Sequence, residues 1–236
     1  MNPERRLVDF AFDDAVATVF PDMIRRSVPG YETVIPLTGL IAARHLESLP
    51  VTAANPRIYD LGCSLGATTL AIVRQLGSGP AEIVAVDNSP AMIDRARAAI
   101  VDARVNFRLA DIRTLELEPA AVVLLNYVLQ FVPPEDRVTL LEKIRAALVP
   151  GGLLILSGKI RFEDPAEQAF HEAAHLDFKR ANGYSELEIS GKRTALENVM
   201  IVDSEPEHRR IFAAAGFGNV RKWYQCLNWA SFLVTA

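Results

Sequence analysis

Residues 58–70 read IYDLGCSLGATTL: an apolar strand, two glycines, then a helix-like segment. A strand that turns through glycines into a helix is where α/β proteins hold a nucleotide-like cofactor, because the turn lets backbone approach the ligand. A dinucleotide loop of the form G-x-G-x-x-G starting at Gly62 would need glycines at 64 and 67, where a pyrophosphate comes close. The chain has Ser64 and Ala67 instead. The turn is there, but the clearance for a pyrophosphate is not.

Outward from this loop, strands and helices alternate. EIVAVD (82–87) reads as the next strand, and PAMIDRARAAI (90–100) as a helix with Ser89 as cap and Pro90 in its first turn. VNFRLAD (105–111) and AVVLLNY (121–127) read as two more strands. A helix follows over 135–148, and Pro150-Gly151-Gly152 turns into the strand LLILS (153–157). Upstream, 13–26 and 31–48 read as leading helices broken around Val28-Pro29-Gly30, which puts Tyr31 just after a bend. Downstream, helices are expected over 165–180 and 185–200, separated at Asn182-Gly183. Ser204 and Glu207 form a capping-box pattern opening a helix that ends at Gly216, and VRKWYQC (220–226) with ASFLVTA (230–236) suggests a closing antiparallel pair.

Such alternation predicts an α/β fold: a Rossmann-like, doubly wound, mostly parallel sheet with a terminal antiparallel strand pair. The 236 residues are expected to form one domain, with N-terminal helices at about 13–48 and a helical insertion at about 165–200. Half of the residues are hydrophobic and 23% are charged, an ordinary globular balance. A net charge of −4 gives no basic footprint, so no direct nucleic-acid binding is expected. Cys63 and Cys226 are too few for a disulfide framework and fit no zinc spacing. No apolar run reaches the ~18 residues of a membrane span, and MNPERRLVDF lacks the apolar core of a signal peptide. A cytoplasmic location is the expectation.

Ligands on a doubly wound sheet bind beyond the carboxyl ends of the strands. Those ends carry Asp60 with the Gly62 loop, Asp87-Asn88, Asp111-Ile112 and Asn126. Asp87 stands 25 positions after Gly62, where a carboxylate accepts from both ribose hydroxyls. Asp111 could accept from an adenine amine, and Asn126 offers a donor and an acceptor near a reacting centre. Adenine, ribose and a small zwitterionic tail meet these points without a phosphate. That combination is S-adenosyl-L-methionine, and Ser64 and Ala67 are tolerable because no pyrophosphate has to pass. The Pro-Gly-Gly turn and the closing strand pair also resemble the class I methyltransferase architecture.

The chain carries no Asn-Pro-Pro-Tyr motif to position an amine and no Pro-Cys pair to attack a pyrimidine. It carries instead FPDMIRRSVPGY (20–31), YDLGCSLGAT (59–68), DNSPAMI (87–93), HLDFKRANGYSELEIS (175–190) and KRTALENVM (192–200). Together these closely resemble the carboxy-S-adenosyl-L-methionine synthase family, over nearly the whole chain from about Phe10 to Trp229. The resemblance implies a reaction on the cofactor itself. S-Adenosylmethionine and prephenate give carboxy-S-adenosylmethionine, phenylpyruvate and water, and a separate tRNA carboxymethyltransferase uses the product on a wobble uridine. It further implies that Tyr31, Gly62, Cys63, Ser64, Asp87, Asn88, Asp111, Ile112 and Asn126 surround the cofactor. Arg193 would pair with the new carboxylate, as a catalytic and binding residue, and the protein would be a homodimer. In the implied chemistry prephenate loses CO2 and its ring hydroxyl and aromatises; the departing hydroxide takes a proton from the sulfonium methyl, and the resulting ylide captures CO2. One departure is visible: the family commonly has an acidic residue before the lysine that follows the fifth strand, and here Gly158 precedes Lys159.

Other readings of the same residues compete. An ordinary methyltransferase acting on a tRNA uridine or a small acid would use the same pocket, as would a non-catalytic cofactor-binding partner of the tRNA enzyme. His171, Glu172 and His175 spell H-E-x-x-H on an expected helix, but no third zinc ligand follows at a familiar spacing, so no metal is expected. Lys179, Arg180 and Lys192 read as a solvated face, or as steering charges for an anion. Cys63, at a helix start, is either a low-pKa thiol or a small residue presenting its backbone. Trp223 and Trp229 read as core or interface.

Overall fold

The computed structural model describes residues 13–49, 56–196 and 199–235; the side chains of residues 192–196 lie outside that description. Its elements run α1 (Asp14–Ser27), α2 (Tyr31–Ser48), β1 (Arg57–Leu61), α3 (Ala67–Leu76), β2 (Glu82–Asp87), α4 (Pro90–Ala99), β3 (Val105–Leu109) and β4 (Ala120–Asn126). After a 3-10 turn at Leu129–Phe131 come α5 (Pro134–Ala147), β5 (Leu148–Lys159), α6 (Pro165–Ala181), α7 (Glu186–Leu196), α8 (Glu205–Ala214), β6 (Asn219–Cys226) and β7 (Trp229–Thr235).

The seven strands form one sheet in the order β3-β2-β1-β4-β5-β7-β6. The first five are parallel, while β7 runs antiparallel to both β5 and β6. The chain winds outward from β1 to β3, then returns to place β4 on the other side of β1. This reversal opens a crevice at the carboxyl ends of β1 and β4.

The twofold period of a strand divides the core. In β1, Tyr59 and Leu61 pack with α5 and α8 residues such as Leu141 and Phe212, while Ile58 faces the opposite layer with Ala42 and Ile72 of α2 and α3. β4 is buried along its whole length, as a central strand covered on both faces must be. Close approach of α2 to α3 depends on Gly39, where a Cβ would lie 2.6 Å from the Ala71 carbonyl carbon.

Local signals act as read. The Ser89 hydroxyl accepts from the Met92 amide at 3.2 Å to open α4. Ser204 and Glu207 form a reciprocal capping box on α8, the Glu207 carboxylate accepting from the Ser204 amide at 2.6 Å. Three boundaries differ from expectation. β3 ends at Leu109 because Asp111 makes an Asx turn, accepting from the Arg113 amide at 2.8 Å. The Pro-Gly-Gly segment does not precede β5 but lies within it, absorbed by a register shift against β4 between Ala120 and Val122. α7 is described as far as Leu196; 197 and 198 are outside the described residues, and Val199 and Met200 are not helical, so the helix does not reach the expected 200. Ala236, in the expected last strand, is outside them too.

Candidate functional site

A cavity of about 1360 Å³ opens at the crevice, lined from β1, β2 and β4 on one side and from α1, α6 and the β6–β7 turn on the other. Tyr31, Gly62, Cys63, Ser64, Asp87, Asn88, Asp111, Ile112 and Asn126 all line it. Arg193 belongs to α7, but its side chain is outside the described residues.

The glycine loop is tied down from below. The amides of Gly62 and Cys63 both donate to the Val86 carbonyl, at 2.7 and 2.9 Å. Gly62 has φ +77 and a Cβ there would sit 2.3 Å from Val128 Cγ2, so a side chain is excluded on two counts. Asp87 then joins this loop to the next one. Its Oδ2 accepts from the Ser64 amide at 2.8 Å and its Oδ1 from the Ser89 amide at 2.9 Å. The Asn88 amide donates to the same carboxylate, and the lone pairs that remain suit a ribose diol. Burial raises the Asp87 pKa, and the backbone donors from Ser89, Ser64 and Asn88 oppose that shift.

Below the loop lies Asp60, fully buried and accepting from the Thr69 hydroxyl at 2.6 Å. Burial pushes its carboxyl up to about 6, against the Thr69 hydrogen bond. Burial also raises the Cys63 thiol, which is 5% exposed. This favours the small, backbone-presenting role over a reactive thiolate.

At the end of β4, the Asn126 amide donates to the Thr68 hydroxyl at 3.1 Å, while its Oδ1 is buried with no partner. One of the two Asn126 N–H donors is therefore used internally, and the Oδ1 acceptor is left for a ligand. Tyr127 follows with φ +63, a left-handed conformation that is rare for a bulky residue. Its ring lies 5.8 Å from Tyr31 and 5.6 Å from Trp229, and Trp229 meets His175 edge-on at 5.9 Å. The Tyr31 hydroxyl is pushed up to about 12, by burial first and then by the Asp60 charge. Asp111 is held by the Arg113 guanidinium at 2.7 Å, which lowers its pKa, and Arg113 also reaches Asp136 at 3.1 Å. Asp111 faces the cavity already paired, an acceptor with less capacity than the bare carboxylate expected.

The opposite wall is anchored by Arg137, the largest fully buried side chain. Its guanidinium donates to the carbonyls of Val132 and Ile201, at 2.9 and 2.8 Å, and pairs with Asp203. That fixes the stretch carrying Met200 and Val202 against the cavity. Gln130 adds a second tie: its carbonyl accepts from the Ile201 amide at 2.9 Å and its Oε1 from the Lys159 amide at 2.8 Å. Gly158 sits beside this contact, where a Cβ would come within 3.3 Å of Gln130 Oε1.

The two histidines of the H-E-x-x-H stretch are engaged separately. His175 donates from Nε2 to the Ser27 carbonyl at 2.8 Å, and His171 stacks on Phe162 with ring centres 4.0 Å apart. Among the described residues no group of three or more His, Cys, Asp or Glu side chains is placed to hold a metal ion. No described helix is long and apolar enough to cross a membrane. Arg180 pairs with Asp177 and Glu186 on the surface, the solvated role read for it, whereas Lys179 lines the cavity. Trp229, read as core or interface, is buried but is also cavity wall. Lys159, Tyr127 and Asn228 line the cavity without having been singled out as site residues; only the position of each just after a strand or at a hairpin turn could have marked them.

Sheet order, glycine loop and paired strand-end acceptors define a protein with the class I S-adenosylmethionine-dependent methyltransferase fold. Residues 58–152 match the family model described as a methyltransferase domain. Human N-acetylserotonin methyltransferase, solved in complex with SAM, superposes with a TM-score of 0.63 over 99% of this chain and 60% of that one, at 16% identity; this likeness is of fold alone. The carboxy-S-adenosyl-L-methionine synthase of Geobacter sp. (strain M21) is 49% identical, covering 98% of this chain and 94% of the relative. The enzyme of the same name from Vibrio campbellii is 51% identical over 97% and 93% of the two chains. The chain belongs to the carboxy-S-adenosyl-L-methionine synthase family.

Proposed function

We propose that this chain converts S-adenosyl-L-methionine and prephenate to carboxy-S-adenosyl-L-methionine, phenylpyruvate and water. The observation that carries the reading is the cavity: its strand-end wall presents Asp87 and the unpaired Asn126 oxygen, and its volume of about 1360 Å³ exceeds the roughly 300–1,000 Å³ of a single-ligand pocket. A site for one cofactor alone needs no second half. S-Adenosylmethionine acts here as a substrate and brings an electrophilic sulfonium whose methyl group is weakly acidic.

The protein's own tasks follow from this chemistry. Asp87 takes the ribose hydroxyls, and the Gly62–Ser64 backbone passes the amino-acid tail. Asn126 Oδ1 accepts from the zwitterion, and Asp111 with Ile112 borders the adenine. Tyr31 and Tyr127 set aromatic faces beside the cation, where a ring quadrupole attracts positive charge. Aromatisation of the second substrate supplies driving force, so positioning and water exclusion are the main contributions required of the walls. Arg193 receives the carboxylate that forms, because a planar guanidinium fork matches it in two hydrogen bonds. The helical insertion at about 165–200 belongs to the same catalytic unit. The protein works as a homodimer, and its product feeds a tRNA carboxymethyltransferase acting on a wobble uridine.

Arg193→Ala tests this reading. Carboxylated product is expected to fall by about a hundredfold or more, with Arg193→Lys recovering part of it. S-Adenosylmethionine lacks the new carboxylate, so its affinity should change little. The assay follows phenylpyruvate release and carboxylated cofactor by mass spectrometry. No carboxylated product from wild type and prephenate would overturn the function; full turnover by Arg193→Ala would overturn only the residue's role.

A further inference from the structure

Two buried polar atoms in the far half of the cavity have no partner. Asn228, 2% exposed, leaves its Oδ1 unpaired, and Trp229, 7% exposed, leaves its indole N–H unpaired. Both residues line the cavity at the turn between β6 and β7. An unmet donor and an unmet acceptor on neighbouring residues are costly in an empty site and complementary to one hydroxyl group, which accepts from one and donates to the other.

The same half holds positive charge. Lys159, at the end of β5, and Lys179, on α6, line the cavity around His175, and the charge of each works to lower the His175 pKa. The imidazole is pushed down to about 4, by burial first, so it is neutral near pH 7, and the positive charge acting on it is that of the two ammonium groups. Its Nε2 hydrogen bond to Ser27 fixes the ring, which in turn braces Trp229. The α1 and α6 side of the lining also carries Asp13, Glu172 and Arg25, all three exposed.

We propose that Lys159, Lys179, Asn228 and Trp229 form the subsite for the second substrate, the lysines each facing one carboxylate of the dianion and the Asn228–Trp229 pair holding its ring hydroxyl. The assignment rests on the synthase reading above and adds the residues that select this substrate. It also gives the indole a part in the reaction. The ring C–O bond breaks with its electron pair on oxygen, the ring-carboxylate C–C bond breaks to release CO2, and its electrons complete the aromatic ring. The indole N–H donates to the departing oxygen as charge builds there. That hydroxide takes a methyl proton to become water, and the methyl carbon's electron pair bonds to CO2. Atoms and charge balance with no further reactant.

The test compares Lys159→Met, Lys179→Met, Lys179→Arg and Trp229→Phe with wild type, each checked for an unchanged thermal melt. Each methionine variant should raise the KM for prephenate by about tenfold, with S-adenosylmethionine affinity by titration calorimetry within about threefold of wild type. Lys179→Arg, which keeps the charge, should recover much of that loss. Trp229→Phe keeps the ring but removes the donor, so kcat should fall by about tenfold or more while KM moves little. Wild-type turnover with unchanged prephenate KM in both methionine variants would overturn the subsite. Equal losses of prephenate and S-adenosylmethionine binding would overturn it too, since the lysines would then serve the cavity as a whole. Absence of carboxylated product from wild type would instead overturn the reading on which the subsite rests.

Discussion

The two walls of the cavity are built by opposite means. The strand-end wall is made of turns that the sheet positions directly: Gly62 and Cys63 on the Val86 carbonyl, Asp87 on three backbone amides, Asn126 at the end of fully buried β4. The far wall is assembled from α1, α6, the stretch after α7 and a hairpin turn, drawn together by side chains such as Arg137 and Gln130. One wall is fixed largely by backbone hydrogen bonds between neighbours in the sheet, and it carries one unpaired polar atom, Asn126 Oδ1. The other depends on contacts between residues distant in sequence, and it carries Lys179 with two unpaired polar atoms, Asn228 Oδ1 and Trp229 Nε1. On the proposed reading, a cofactor shared by many enzymes meets the regular part of the fold and the second substrate meets the irregular part.

The sharpest way to probe the strand-end wall is through its buried support. Asp60 has its carboxyl raised to about 6 in the folded state, while an unfolded aspartate titrates near 4. The protonated form therefore favours the fold. Its contribution is full below the unfolded value and is lost as the pH rises through 6, a change on the order of 3 kcal/mol. Asp60→Asn should remove this part of the pH dependence between about pH 4 and 7. Denaturant unfolding of both proteins across that range measures it, and parallel profiles would show that Asp60 does not titrate there.

Next in size is Asp87→Ala, expected to weaken S-adenosylmethionine binding by roughly 1–3 kcal/mol, since it takes away acceptors for the ribose and for the loop amides of Ser64, Asn88 and Ser89. Prephenate KM should move much less if the walls act separately. Titration calorimetry finding unchanged cofactor affinity would break the comparison at its best-defined residue. The smallest effect is expected at the histidine pair. His171→Ala and treatment with a chelator should both leave turnover within about twofold of wild type, because His175 is committed to Ser27 and His171 to Phe162. Elemental analysis finding about one zinc per chain, lost on substitution of His171, would reverse that expectation.

The same contrast explains what could be read from the sequence. Sheet class follows from alternation and from the Gly62 turn, and the acceptors of the strand-end wall are legible because each sits just after a strand. Asp111 shows the limit of that rule: its position at the cavity was readable, but not the Arg113 side chain that folds back onto it. The far wall was nearly invisible. Nothing local in Leu227-Asn228-Trp229 says that the turn faces a ligand, and Lys179 and Arg180, adjacent in sequence, end in a cavity and on the surface respectively. The helical period separates them, but only tertiary packing decides which face is which. The Pro-Gly-Gly segment was misplaced for a similar reason, since a register shift is a property of two strands and not of one.

Tyr127, with its left-handed backbone, has a consequence for how such a protein changes over generations. A tyrosine in that conformation costs on the order of 1–3 kcal/mol, which asparagine or glycine would largely relieve. Selection for stability alone would drift this position toward those residues, and would dismantle the aromatic contacts of Tyr127 with Tyr31 and with Trp229 as it did so. A stabilised variant obtained without regard to turnover should therefore be examined at position 127 before anywhere else.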